Sequence, residues 1–359
     1  MDYGLFILSP MRDRAKPIAT LIAEIEAQAK LAENLGFSTV WFAEHHLSNV
    51  SVCPSPLMLA VHCAARTRRI RVGTAILVLP FYQPIRLIEE MAYADILTGG
   101  RLTVGVGSGN QDHEARRFGT RGEDLPERFT EMLDILDIAF GDGPIAYEGR
   151  HFKIPETEIV VRPRRNPAAP VHIGGMAHVP AVVDRVARKG YVPFLSPQWK
   201  PVEAFVETRD TLAAAHVAAG HAPGSMPLAV QRYVHVAADR SETRVALEQL
   251  RYGQRVAGGL KARSARFDGA WVSEPEAGTG EPTDAEILER LVFGDAETCA
   301  ERIVEDHRLL GHSHMSCFVQ FGGMEGRHAL DVLERFGRDV IPAVDKALAA
   351  AAPKKAAIA

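Results

Sequence analysis

Residues 38–46 read STVWFAEHH. The first five are mostly β-branched or aromatic and follow Gly36, so they predict a short buried strand. Glu44, His45 and His46 come where this strand ends. A buried strand whose C-terminal end carries titratable side chains is typical of parallel α/β folds, in which the chemistry gathers at that end of the sheet.

The same alternation of short apolar strands and helical periods continues on both sides of this stretch. Strands are predicted at residues 3–9, 38–42, 70–79, 102–106, 171–173, 191–195, 228–237 and 314–320. Helices are predicted at residues 18–35, 55–65, 84–97, 127–140, 180–189, 202–219, 242–256, 299–310 and 329–348. Because no strand is followed by a GxGxxG turn that opens a helix, a closed (β/α)8 TIM barrel of the α/β class is favoured over an open Rossmann-like sheet.

One long segment interrupts the alternation after the seventh strand and its helix. Residues 258–283 are rich in Gly, Ser, Glu and Pro and have little periodicity. A segment of this length is usually an active-site lid or a tolerated surface insertion, and we interpret it as a mobile lid. The prediction is a single barrel domain over residues 1–348, with a disordered tail at 349–359.

Composition narrows the function classes. The net charge is −4 and the sequence pI about 6.4, which favours neither nucleic acid nor a membrane surface as a partner. No signal peptide or membrane span is predicted. The four cysteines are far apart, so we expect neither a disulfide framework nor a zinc site, and a reducing, cytoplasmic location.

The two adjacent histidines are the pair of side chains at the predicted barrel mouth that is best suited to proton transfer or metal binding. Neighbouring residues of an extended strand point to opposite faces, so His45 and His46 cannot easily share one metal ion. We therefore expect no metal, and one of the two as an acid, base or hydrogen-bond donor. A structural role for both is the alternative.

Glycines mark two other strand ends. Gly105, Gly107 and Gly109 alternate after the fourth strand, which admits a tight turn or a ligand close to the backbone. Gly174 and Gly175 precede a helix, where backbone amides can hold a phosphate or simply form a turn. A barrel mouth with these features suits a flat phosphorylated cofactor without naming one.

The order and spacing of several motifs resemble those of the bacterial luciferase-like family of flavin-dependent monooxygenases. The resemblance spans most of the chain. It rests on residues 40–46, 72–75 with 79–80, 84–86, 89–90, 100–102, 105–107, 118–119, 293–295, 336–337 and 340–342.

The resemblance implies a usually dimeric barrel that binds FMN or a related deazaflavin. In FMN members a separate NAD(P)H-dependent flavin reductase supplies reduced FMN. Oxygen adds at the flavin C4a carbon, and the resulting peroxide oxidises a small organic substrate. A deazaflavin-dependent oxidoreductase and a flavin-binding protein without turnover are the alternatives, while His45/His46 geometry disfavours a metal-dependent hydrolase.

The resemblance also assigns site residues. His45 matches the family histidine near the reacting centre, with His46 second in line. Ala75 and Ile76 match a non-prolyl cis peptide beside the flavin ring. The phosphate-binding turn is matched by residues Gly174, Gly175 and Met176.

Two further positions of the cofactor site depart from the pattern. Luciferase itself has a cysteine where Gly107 stands and an arginine where Ser108 stands, so light emission from a long-chain aldehyde is not expected. Since the phosphate-binding turn lacks a side-chain hydroxyl, we expect backbone amides to bind the phosphate. Ser108 or an arginine is a candidate for an additional contact.

Overall fold

The structure is a computed structural model that describes residues 1–163 and 171–351. Most of the tail predicted to be disordered lies outside these residues. The strands are β1 (Asp2–Ile7), β2 (Thr39–Phe42), β3 (Arg71–Thr74), β4 (Leu77–Val78), β5 (Leu102–Thr103), β6 (Gly105–Gly107), β7 (Ile145–Glu148), β8 (Lys153–Thr157), β9 (His172–Gly174), β10 (Val192–Leu195), β11 (Ala229–Val236), β12 (Phe267–Asp268), β13 (Trp271–Val272), β14 (Val292–Gly294) and β15 (His314–Phe318).

Parallel pairing closes the main sheet into a barrel. β1 lies between β15 and β2, β2 pairs with β3, and β3 pairs with β5. From the other side, β15 pairs with β11, which continues through β10 and β9 to β6 and β4. Since β3 with β4, and β5 with β6, are two halves of single predicted strands, these pairings complete a ring. The predicted (β/α)8 barrel is confirmed.

Helices surround this ring, and the first of them shows how an apolar face packs a helix against it. In the first helix, Leu21, Ile25, Ala29 and Ala32 recur every three or four residues and are all buried. The helices are α1 (Ile18–Asn34), α2 (Pro56–Ala64), α3 (Pro84–Leu97), α4 (Asp112–Arg117), α5 (Leu125–Ala139), α6 (Pro180–Arg188), α7 (Val206–Ala218), α8 (Arg240–Lys261), α9 (Asp284–Arg290), α10 (Ala296–Leu310), α11 (Gly326–Arg335) and α12 (Ile341–Ala351). None of those helices is both long and apolar enough to cross a bilayer.

The structure differs from the sequence prediction in several elements. The third and fourth strands are each interrupted. The antiparallel hairpin β7–β8 after α5, by contrast, agrees with the hairpin that the sequence indicates at residues 147–161. The strand β14 was missed because three residues carry too little periodicity, and it pairs only with the last part of β11. The helix α4 was missed because it is polar and six residues long.

The 258–283 segment is more structured than predicted. Its first residues belong to the last turn of α8, and β12 and β13 form a small antiparallel ribbon. The backbone N–H of Val272 donates to Asn49 Oδ1 at 2.8 Å, and Glu281 pairs with Arg251 and Arg255 on α8. These contacts tether the segment to the loop after β2.

Large side chains seal the N-terminal end of the barrel. Trp41 Nε1 donates to His314 Nε2 at 3.0 Å, and its ring centroid lies 4.8 Å from that of His172. Burial lowers the pKa of His314 to about 4, so this ring is a neutral acceptor. An added Cβ on Gly73 would lie 2.6 Å from the Trp41 ring, which explains the small residue there. Within the barrel, the described residues leave space for a ligand at the opposite end.

Candidate active site

A cavity of about 990 Å³ opens at the C-terminal ends of the barrel strands. Successive strand ends supply its walls, which is the arrangement expected of a barrel active site. The predicted site residues that line it are His45, Ala75, Ile76, Ser108, Gly174, Gly175 and Met176.

A smaller chamber of about 300 Å³ adjoins this cavity. The two spaces share wall residues, among them His45, Gln231 and Lys261. The larger space is here called the outer cavity, and the smaller one the inner chamber. His45 therefore stands where they meet.

His45 is held by a buried carboxylate. Its Nδ1 donates to Glu114 Oε1 at 3.1 Å, and the same oxygen accepts the backbone N–H of His46 at 2.8 Å. Burial raises the pKa of Glu114, but the bonds from His45 and His46 outweigh it and leave this pKa below its ordinary value. Glu114 is thus an ionised acceptor, 1% exposed, at the base of the histidine.

This bond fixes the chemistry of His45. Because Nδ1 carries the proton toward Glu114, the neutral ring has Nε2 as its free base nitrogen. The side chain is 24% exposed and lines both spaces. His45 can therefore accept or return a proton at Nε2 without changing its anchored side.

His46 does not line either space. Its Nε2 donates to Glu44 Oε1 at 2.8 Å, and its ring lies edge-on to Phe118 with 4.6 Å between centroids. The other Glu44 oxygen accepts the Val78 N–H at 3.0 Å and the Tyr82 hydroxyl at 2.8 Å. The two histidines diverge as the sequence predicted, and Glu44, to which His46 donates, links the loop after β2 to β4 and to the segment before α3.

The peptide bond between Ala75 and Ile76 is cis, as the resemblance implied. Ile76 also explains two glycines. A Cβ on Gly107 would lie 2.1 Å from Ile76 Cδ1, and one on Gly174 would lie 3.1 Å from Ile76 Cγ2. Gly107 is not a wall residue of either space. Packing against Ile76 is therefore sufficient to account for the absence of a side chain at Gly107.

The turn before α6 offers backbone rather than side chains to the outer cavity. Gly175 and Met176 have φ values of +74° and +54°, a left-handed conformation that glycine adopts without strain. The N-cap residue of α6, Val179, makes no side-chain cap hydrogen bond. Nearby, the Ser108 hydroxyl donates to the carbonyl of Gly109 at 3.1 Å. An anionic group placed here would meet amides and a helix N-terminus.

Two groups of three side chains could hold a metal ion within residues 1–163 and 171–351. They are His235 with Glu242 and His328, and Glu127 with Glu131 and His151. Neither group contains His45 or His46, and neither lines the outer cavity or the inner chamber.

Sequence reasoning missed Glu114 as a site residue. Its signal was present but weak: a polar helix with acidic residues directly follows the fourth strand. Glu44 was noticed at the strand end, but its contacts with Val78 and Tyr82 depend on residues more than thirty positions away.

Comparisons with known proteins agree with this geometry. The sequence profile described as luciferase-like monooxygenase matches residues 1–313. Uncharacterized protein y4vJ of Sinorhizobium fredii is 32% identical over 349 residues, covering 97% of this chain and 99% of that protein. The oxygenase component of the flavin-dependent trigonelline monooxygenase of Acinetobacter baylyi is 27% identical over 175 residues, 48% of each chain.

A solved structure shares the fold. It is the oxygenating constituent of 3,6-diketocamphane monooxygenase from Pseudomonas putida, in complex with FMN. The TM-score is 0.75 at 19% identity, and the match covers 96% of this chain and 98% of that one.

Proposed function

The chain belongs to the luciferase-like monooxygenase family, and on that premise we propose that it is the oxygenase of a two-component FMN system. A separate NAD(P)H-dependent flavin reductase would deliver reduced FMN, and one oxygen atom of O2 would enter a small organic substrate. The observation that carries this proposal is His45, anchored by buried Glu114 and standing between the outer cavity and the inner chamber.

The outer cavity fits a flavin mononucleotide. Its volume of about 990 Å³ lies at the upper end of the range for small-molecule sites. Ala75, Ile76 and Val78 give it an apolar wall, while Gly174 and Gly175 give it backbone groups before α6. The apolar wall suits the flavin ring, and the backbone amides before α6 suit the phosphate. Reduced FMN would supply the electrons that activate O2.

The residues around the flavin would control protons. His45 presents Nε2 at the junction, where it would donate to or accept from the reacting oxygen. Glu114 would keep the ring oriented and stabilise it when it is charged. Ser108 and the amides after Gly174 would bind rather than react.

The names of related proteins support the proposed two-component system. One is named as an oxygenase component, which describes a protein that works with a second one, and a structural neighbour was solved with FMN. Another neighbour is an F420-dependent secondary alcohol dehydrogenase, so a deazaflavin remains the alternative cofactor.

We also propose a homodimer formed through α2 and α3. Met58 on α2 is 74% exposed, and Tyr93, Ile96 and Leu97 on α3 are each more than half exposed. Large apolar side chains grouped on neighbouring helices are typical of a covered surface.

The decisive experiment is an anaerobic titration with reduced FMN followed by rapid mixing with oxygenated buffer. We expect reduced FMN to bind and an absorbance transient, distinct from reduced and oxidised FMN, to outlast free flavin oxidation. Absence of a transient, together with tight binding of a reduced deazaflavin, would contradict the FMN assignment. When a variant of His45 is tested in this way, the matched control is His151→Ala. It removes a hydrogen bond of 2.9 Å between another histidine ring and a glutamate, away from both spaces.

A further inference from the structure

The inner chamber has walls suited to an aromatic ring. Phe318 is the centre of a cluster whose ring centroids lie 5.0 Å from Phe6, 4.7 Å from Tyr233 and 5.8 Å from Phe321. All four side chains line the chamber. Its volume of about 300 Å³ is at the lower end of the range for ligand pockets, which limits an occupant to one or two rings.

One wall residue carries an unused polar atom. Gln111 is 5% exposed, and its Oε1 has no hydrogen-bond partner within the described part of the chain. A buried acceptor left unpaired costs about 1–3 kcal/mol. Gln111 is not part of the flavin site described above, so a donor from the occupant of the chamber is the natural partner.

Tyr233 supplies a complementary group. Its hydroxyl accepts from Gln254 Nε2 at 2.8 Å, and its own proton is not used in that bond. Burial raises the pKa of Tyr233, so the phenol keeps this proton at physiological pH. Gln111 and Tyr233 thus supply an unpaired acceptor and a hydroxyl donor beside the aromatic walls.

Charge is scarce in the chamber. Among its described wall residues no Asp, Glu or Arg occurs, and the groups that can carry charge near neutral pH are His45 and Lys261. Lys261 is exposed, at the end of α8. An ionised occupant would lose its hydration without gaining a buried counter-ion, which is costly.

We propose that the inner chamber binds the substrate as a neutral compound of one or two aromatic rings, with a hydroxyl or N–H group directed to Gln111. This inference rests on the proposed function only for calling the occupant a substrate. Binding itself requires no turnover. The ring would then lie beside His45, at the junction with the outer cavity.

Three matched probes test the proposal: 2-naphthol, 2-methoxynaphthalene and 2-naphthoate, titrated calorimetrically into the full chain with and without oxidised FMN. We expect 2-naphthol to bind at least about tenfold more tightly than its methyl ether, because a site with a buried polar group discriminates against a ligand that leaves it unpaired. The anion should bind more weakly than 2-naphthol. Equal affinity for all three, or preference for 2-naphthoate, would overturn the proposal.

A variant locates the interaction. Gln111→Leu should erase the preference for 2-naphthol over its ether while both still bind, and Tyr233→Phe should weaken both through the lost donor. Gln83→Leu, which alters the exposed N-cap residue that precedes α3, is the control. If folded Gln111→Leu, checked by circular dichroism, keeps the full preference, the assignment of Gln111 is wrong.

The two proposals fail separately. Failure of the reduced-FMN experiment with the expected probe ranking would remove the oxygenase reaction and leave a neutral aromatic-binding chamber. A normal oxygen transient without that ranking would leave the oxygenase and remove the substrate class.

Discussion

A single oxygen of Glu114 accepts both the Nδ1–H of His45, at 3.1 Å, and the backbone N–H of His46, at 2.8 Å. One buried carboxylate thereby fixes the ring and the backbone of the loop that follows β2. Glu114 comes from α4, which follows the fourth barrel strand. His45 is thus positioned from two strand ends at once.

His45→Ala should separate binding from chemistry. Since His45 lines the outer cavity without forming its phosphate end, reduced FMN should bind within about threefold of the unaltered protein. The rate of product formation should fall by about 10²–10⁴-fold, the range that one acid–base group contributes. The measurement is single turnover with a substrate found through the probe series. An unchanged rate would remove His45 from the mechanism, and His151→Ala should behave like the parent.

Glu114→Gln tests a positioning residue. The amide keeps the size of the side chain but can no longer act as an ionised acceptor, so His45 loses its preferred orientation. We expect kcat to fall about 10–100-fold with KM within a factor of two, as for other groups that orient a functional imidazole. Glu114→Asp, which restores the charge, should recover part of kcat. A change in KM alone would contradict the assignment.

Much of the fold was predictable because its signals are local. The strand at 38–42 and the helix at 84–97 are each complete in their own apolar patterns, and the latter matches α3 residue for residue. His45 could be found because a strand end lies directly before it. By contrast, Gly107 was interpreted as a cofactor contact, since its packing partner Ile76 is 31 positions earlier in the chain.

The remaining differences have the same physical origin. The predicted helix 242–256 extends to Lys261, past Gly258 and Gly259, because those glycines sit in a helix packed against the rest of the barrel. A Cβ on Gly259 would lie 3.1 Å from Pro275 of the predicted lid. Tertiary contacts determine the conformation of these residues, and the sequence alone does not show those contacts.

Met58→Glu should dissociate the proposed homodimer. The side chain is 74% exposed in the isolated chain, and burying a charge there without a partner would oppose association. Light scattering after size exclusion should show a dimer for the parent and a monomer for the variant. Val160→Glu, at a residue that is 100% exposed, is the control and should stay dimeric. A monomeric parent protein would contradict the proposal.

Shortening the predicted lid should uncouple the reaction. Replacing residues 264–279 by a short Gly/Ser linker keeps Lys261 and the pairs of Glu281 with Arg251 and Arg255. It removes the contact of Val272 with Asn49, which lines the inner chamber. We expect an unchanged circular dichroism spectrum and a lower yield of product per FMN oxidised, because water enters the site. A normal yield would show that the segment is only a surface insertion.

Stability should fall as pH drops below about 6.5, the ordinary pKa of histidine. Burial lowers the pKa of His235 to about 3, of His312 to about 3 and of His314 to about 4, so the unfolded chain binds these three protons first. Burial raises the pKa of Asp306 to about 6, and this group takes up its proton in the folded state and acts in the opposite direction. The net difference of about two protons predicts a loss of about 2.7 kcal/mol per pH unit near pH 5.

Urea unfolding at several pH values measures this slope. The free energy of unfolding should be nearly constant from pH 7 to 8 and should decrease when the pH drops below about 6.5. In that range the unfolded state binds protons that the folded state does not bind. His235→Leu should reduce the slope near pH 5 by about one proton, or about 1.4 kcal/mol per pH unit. A free energy of unfolding that stays level down to pH 5 would mean that these histidines are protonated in place, with room for water beside them.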